Sequence, residues 1–120
     1  YIGQVIAWDG VNENVHRHFY EDKFGENASA EYYSKAYHLD PKTTMFMNEF
    51  NTIEYSGDQV ANPANYLRKL KEIQQFPGTA GMPMAIGLQC HFARGIPNLA
   101  YMRSGLDLLG ATGLPIWLTE

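Results

Sequence analysis

The sequence predicts an α/β chain of parallel strands joined by helical crossovers, and three observations predict it. Apolar strand-like runs alternate with helix-length amphipathic segments, an order that goes with parallel sheets and right-handed connections. The strand runs are nearly continuous in apolar residues, as strands covered on both faces require. Residues suited to chemistry gather at the C-terminal end of each run: Asn12-Glu13, Asn48-Glu49, Gln89 with His91, and Glu120. Ligands bind at that end both in a (β/α)-barrel and in a doubly wound sheet. No Gly-rich phosphate turn follows the first run, which counts against a nucleotide fold.

The elements follow in the order β-α-β-α-β-α-β. Gln4–Glu13 reads as the first strand, and the polar stretch Asn14–Asn27 as a long loop. Ser29–Leu39 reads as a helix that closes at Asp40-Pro41, because the residue before a proline avoids the helical region. Thr43–Phe50 is the second strand. Asn62-Pro63 supplies an N-cap with proline at the first helical position. Tyr66, Leu67, Leu70 and Ile73 then fall on one helical face, and Phe76-Pro77-Gly78 stops that helix. Met84–Phe92 is the third strand. Asn98 caps a third helix in which Leu99, Met102, Leu106 and Leu109 repeat at helical spacing, with Gly110 or Gly113 as a left-handed terminator. Pro115–Thr119 is the fourth strand.

Composition bounds the function. The chain has 120 residues, the size of one small domain, with 45% hydrophobic and 18% charged residues and a net charge of −4. That is a globular composition. It lacks the basic run that a nucleic-acid partner needs and a segment apolar and long enough to cross a membrane. Asp9, Asn12 and Glu13 exclude a secretory signal core within the first twenty residues. A single cysteine, Cys90, excludes an internal disulfide. It reads as a gap-filler, since no placed base makes it a nucleophile. Asn27-Ala28-Ser29 matches an N-glycosylation acceptor. His16 and His18 have no carboxylate or cysteine at ligand spacing, so no metal is expected, and no cofactor either. Glu54, Glu72 and the lysines of the second helix read as solvated surface.

Two of the apolar runs end on a glutamate, Glu13 and Glu120. A carboxylate leaving a buried strand is costly unless solvated, hydrogen-bonded or used. Two of them point to paired-carboxylate chemistry, of which glycoside hydrolysis is the leading example. Gln89 and His91, two apart, are expected on one strand face, with Leu88, Cys90 and Phe92 on the other.

At these strand ends the sequence resembles glycoside hydrolase family 10, the retaining endo-β-1,4-xylanases, and its plant members most. Trp8-Asp9-Gly10-Val11-Asn12-Glu13 is similar to the family's acid/base motif Trp-Asp-Val-Val-Asn-Glu. Asn48-Glu49-Phe50-Asn51 is similar to Asn-Asp-Tyr-Asn, Gly87-Leu88-Gln89-Cys90-His91 to Gly-x-Gln-x-His, and Pro115–Glu120 to the nucleophile strand ending Thr-Glu. The departures are Gly10 for the usual Val or Asn, expected to loosen the strand before Glu13, Glu49 for Asp, and Phe50 for Tyr, which keeps a stacking face and loses a hydroxyl.

The resemblance implies a fragment of a TIM (β/α)8 barrel, about strands four to seven with three intervening helices. Residues 1–120 would then be a partial catalytic domain cut at both ends, because a whole barrel takes roughly 250 residues. It implies Glu13 as acid/base and Glu120 as nucleophile, acting across roughly 5–5.5 Å. Asn12, Asn48, Phe50, Asn51, Gln89 and His91 would bind substrate or support these two, with Asn12 set to meet the sugar 2-hydroxyl and His91 to lie against Glu120. The implied partner is β-1,4-xylan or a xylo-oligosaccharide, and the implied location is outside the cell or in the cell wall. In isolation the chain would expose open strand edges and an apolar barrel interior and is expected to have little or no activity, unless self-association of two halves closes a barrel. Two other readings stand beside this one: a non-catalytic carbohydrate-binding barrel fragment, and a related barrel β-1,4-glucanase.

Overall fold

A computed structural model describes residues 1–120. Four parallel strands lie in the order in which the chain makes them: β1 (Ala7–Asp9), β2 (Thr44–Glu49), β3 (Met84–Leu88) and β4 (Ile116–Leu118). Each crossover is helical: α1 (Phe19–Phe24) and α2 (Ala28–Leu39), then α3 (Pro63–Gln75) with a 3₁₀ turn at Pro77–Thr79, then α4 (Leu99–Gly110). Sequential neighbours without a reversal are the order of a barrel wall, not of a doubly wound sheet.

The start and stop signals act as the sequence predicts. The Asn62 side chain accepts from Asn65 N at 3.0 Å, with Pro63 in the first turn of α3. Asn98 caps α4 by accepting from Tyr101 N at 3.1 Å. Of the two candidate glycines after α4, Gly113 takes the left-handed conformation, φ 73°. Asp40 ends α2, and its carboxylate accepts from the Trp8 indole N–H at 3.0 Å and the Thr43 hydroxyl at 2.8 Å, tying the helix end to β1 and the entry of β2.

Three expectations change. The first strand is three residues long, so Gly10–Glu13 form a loop beyond it, and Glu13 lies past the strand end. The third strand stops at Leu88. Within the expected loop 14–27, Phe19–Phe24 is helical. That helix is six residues long and buries none of them, and it is shorter than the window over which helical periodicity shows.

Strand alternation sorts the residues into two faces. Met45, Met47, Met84, Ile86 and Leu88 point to the helices and join Tyr33, Tyr66, Leu70, Ile73 and Leu109 in the core. The other face carries Phe46, Asn48, Gly87 and Trp117, with Phe46 and Trp117 in an edge-to-face contact at 5.4 Å. Helices cover one face only, and Ile6 (82% exposed), just before β1, and Leu118 (69%), at the end of β4, stand open at the two edges of the sheet.

β1 ends just before Gly10, and the glycine makes room for a core residue. A Cβ there would lie 2.2 Å from Cε1 of Tyr33. Tyr33 is fully buried, and its hydroxyl donates to Phe46 O at 3.0 Å. A Val at this position is therefore incompatible with the Tyr33 ring where it stands.

Candidate active site

Asn48 is the hub of the strand ends. Its backbone carbonyl accepts from Glu13 N at 2.9 Å. Its side-chain Nδ2 donates to Glu120 Oε1 at 2.9 Å and to Asn12 Oδ1 at 3.1 Å, while Oδ1 accepts from the Thr119 hydroxyl at 2.6 Å. One buried amide thus touches the loop after β1 and the end of β4. The register explains how it reaches both. Asn48 pairs with Gly87 on β3, and a Cβ on Gly87 would sit 2.8 Å from Asn48 Oδ1. The missing side chain opens the path from β2 across β3 to β4.

The two glutamates have different surroundings. Glu13 Oε2 receives the Arg17 guanidinium at 3.2 Å, and Oε1 receives Gln89 Nε2 at 3.4 Å. Glu120 Oε1 is held by Asn48, and Oε2 lies 3.0 Å from His91 Nε2. Asp9, whose strand register brings it beside Phe46 on the same open face, has its carboxyl pKa raised by partial burial and then by the charge of Glu120. A cleft of about 400 Å³ runs along this face, lined by Asp9, Phe46, Asn48, Trp117 and Glu120 among others.

Gln89 and His91 therefore meet the two glutamates, but not by sharing a strand face. The strand has ended, and Cys90 between them adopts a left-handed backbone, φ 63°. Gln89 is buried and His91 exposed. Left-handed residues recur after three strands: Glu13 (φ 54°) past β1, Asn51 (φ 60°) past β2 and Cys90 past β3. Such conformations are uncommon for residues other than glycine and persist where surrounding contacts impose them. At Cys90 the contact is Glu54, whose Oε1 accepts from Cys90 N at 2.7 Å while Oε2 accepts from Ile53 N at 2.8 Å. Glu54 is thus a structural brace and not solvated surface. Burial, then the Glu54 charge, push the Cys90 thiol up to about 11, which leaves it protonated at neutral pH.

Phe50 and Asn51 belong to a second cluster beside the first. Phe50 stacks on His16, with ring centroids 3.9 Å apart and planes 10° apart. Asn51 Nδ2 donates to Asp58 Oδ2 at 3.0 Å, and neither residue contacts Glu13 or Glu120 through a hydrogen bond. His16 bridges Glu49 Oε1 at 2.7 Å and Asp58 Oδ2 at 3.0 Å. Both of its ring nitrogens are thereby committed to carboxylates. Burial alone would raise the Asp58 pKa, but hydrogen bonds from Asn51, His16 and the Ala61 and Val60 amides bring it down to about 2.

Glu49 stands out in the sequence only as a strand-end residue and His16 only as a rejected metal ligand; their joint cluster with Asp58 shows only in the structure. Glu49 is fully buried, and its carboxylate accepts from Val15 N at 2.8 Å, His16 N at 3.3 Å and Phe50 N at 3.0 Å as well as from the His16 ring. Alternation along β2 offers a clue, since Met45, Met47 and Glu49 share the helix-facing side. Lys69 of α3 is likewise not free in solvent: its Nζ lies 2.8 Å from Glu21 Oε1 and 3.3 Å from Glu72 Oε2.

Residues 1–120 match the profile of glycosyl hydrolase family 10. The chain is similar to endo-1,4-beta-xylanase 4 and endo-1,4-beta-xylanase 5 of Arabidopsis thaliana, 52% identical to each over 120 residues. These alignments take in 100% of this chain and 21% of each relative, so the chain spans about a fifth of their length. Its fold is similar to that of a GH10 endoxylanase retrieved from a sugarcane soil metagenome. The TM-score is 0.80 at 26% identity, over 100% of this chain and 35% of that one.

Proposed function

The chain belongs to glycosyl hydrolase family 10, its four parallel strands are part of a TIM (β/α)8 barrel, and from that premise we propose that the protein carrying it hydrolyses β-1,4-xylan with retention of configuration. Glu120 attacks the anomeric carbon as the bond to the leaving oxygen breaks, and Glu13 gives that oxygen its proton. Glu13 then takes a proton from water, which displaces Glu120 and releases the sugar. The observation that supports this most directly is the shared contact of both glutamates with Asn48, through its backbone for Glu13 and its side chain for Glu120. Their other partners differ, Arg17 and Gln89 for one and His91 for the other, as two carboxyls with separate tasks require. Asn12, exposed beside Asn48, is free to meet the sugar 2-hydroxyl.

Proton NMR of freshly released products tests this reading. The complete protein should release the β-anomer first from xylan and cleave carboxymethyl-cellulose far more slowly. Initial release of the α-anomer, or a preference for the cellulose derivative, would contradict it. Asn48→Ala should lower kcat/KM on xylan by about a hundredfold, the usual effect of a reacting group displaced by about 1 Å. The Glu120 carboxylate would then keep only His91. A loss below about threefold in steady-state kinetics would remove Asn48 from that role.

The same reading places the protein outside the cell or in the cell wall, where its substrate is, with the exposed Asn27 of Asn27-Ala28-Ser29 as a glycan acceptor. It also gives residues 1–120 a tendency to self-associate through the open edges at Ile6 and Leu118 when no further barrel strands cover them.

A further inference from the structure

We propose that His16 is a positioning residue for the acid/base glutamate, its imidazolium clamping the Glu13 loop to the C-terminal end of β2. The inference rests on Glu13 acting as proton donor, as read above. His16 follows Glu13 by three residues, and its N–H closes a turn on the Glu13 carbonyl at 3.1 Å. The ring lies between Glu49 from β2 and Asp58 from the loop before α3, at 2.7 Å and 3.0 Å. A neutral imidazole has one N–H and can donate to one of these carboxylates; the imidazolium donates to both. Burial alone would lower the pKa of the ring, but Glu49 and Asp58 raise it. Phe50 covers one face in a parallel stack. Of the other charged groups, Arg17 on the same loop pairs with Glu13, and Glu54 of the β2–α3 loop is bonded to the Cys90 and Ile53 amides. From α4, Tyr101 reaches the same β2–α3 loop by donating to Thr52 O at 3.1 Å.

The anchor bears on the acid/base because Glu13 sits at φ 54°, a conformation that relaxes unless its surroundings hold it. Those surroundings are the Asn48 carbonyl on one side and the Val15–His16 segment, pinned to Glu49, on the other. Losing the imidazole leaves the second support on the Val15 and His16 backbone amides alone, without the bridge from Glu49 to Asp58, and lets the Glu13 carboxyl drift from the leaving oxygen. The effect should therefore fall on the step that needs a proton. It should spare a substrate whose leaving group departs as a stable anion.

His16→Phe keeps the stack on Phe50 and loses both hydrogen bonds, while His16→Gln keeps one donor. In the complete protein, kcat/KM for His16→Phe should fall about tenfold to a hundredfold on xylan and stay within about twofold of wild type on a dinitrophenyl xylobioside. His16→Gln should fall between wild type and His16→Phe on xylan. Equal losses on both substrates, or no loss on xylan, in an otherwise active enzyme overturn the positioning role alone. If His16→Phe does not fold, the same ratio in His16→Gln decides. A wild-type protein inert on both substrates overturns the hydrolase reading, and the positioning role with it.

Discussion

Replacing Glu120 with glycine in the complete protein should abolish the proposed xylan hydrolysis, and added azide should restore cleavage of an activated aryl xylobioside. Loss of the attacking carboxylate removes the covalent step, at a cost on the order of 10⁴-fold or more in kcat. The glycine leaves a gap into which Asn48 Nδ2 and His91 still direct their polar atoms, the two groups that lie at 2.9 and 3.0 Å from the native carboxylate. A small anion fits such a gap, and azide attacking from there forms an α-glycosyl azide as the phenolate leaves. The expected readout is therefore no reducing sugar from xylan, together with an azide-dependent release of phenol and an inverted glycosyl azide. Near-wild-type hydrolysis in the variant would falsify the assignment of Glu120. Rescue in Glu13→Gly with the same inverted product, and none in Glu120→Gly, would exchange the two roles.

Glu49→Ala should be the most destabilising single change at the strand ends, by about 3–5 kcal/mol, the range for removing one member of a buried charged cluster. Glu49 is fully buried and accepts from three backbone N–H groups and one imidazole. Alanine leaves the Val15 and Phe50 N–H groups and one imidazole nitrogen without an acceptor, and a cavity where the buried carboxylate was. Glu49→Gln keeps the volume but loses charge-assisted bonding, so its loss should be smaller. Denaturant unfolding followed by circular dichroism measures both, and an unchanged m-value would assign the change to stability alone. A cost below about 1 kcal/mol for the alanine variant would show that the loop after β1 does not depend on this carboxylate.

Much of the architecture was legible because its signals are local. Asn62-Pro63 and Asn98 mark helix starts through a side chain that meets an amide three residues on, within the reach of any sequence window. Met45, Met47 and the apolar run Met84–Leu88 show buried strands for the same reason. The first strand was overestimated because Val11 is apolar and buried, yet it packs from a loop. The helix at Phe19–Phe24 has only six residues, too few for a periodicity that a sequence window resolves. A further reason for glycine at position 10 lies in Tyr33, an aromatic ring on another element, which no local pattern shows.

The candidate site divides in the same way. Sequence by itself determined that Glu13, Asn48, Gln89, His91 and Glu120 fall at, or a few residues beyond, the C-terminal ends of successive strands. Strand alternation also separates Asn48 from Glu49, one to the open face and the other to the helix side. Only the tertiary structure decided what these residues do to each other. Asn48 reaches Glu120 across 72 positions, and His16 joins Glu49 and Asp58 across 33 and 42. No local pattern encodes such pairs. They arise when parallel strands bring distant loops together at one end of a sheet, and a buried carboxylate there is stable only beside donors that the fold delivers.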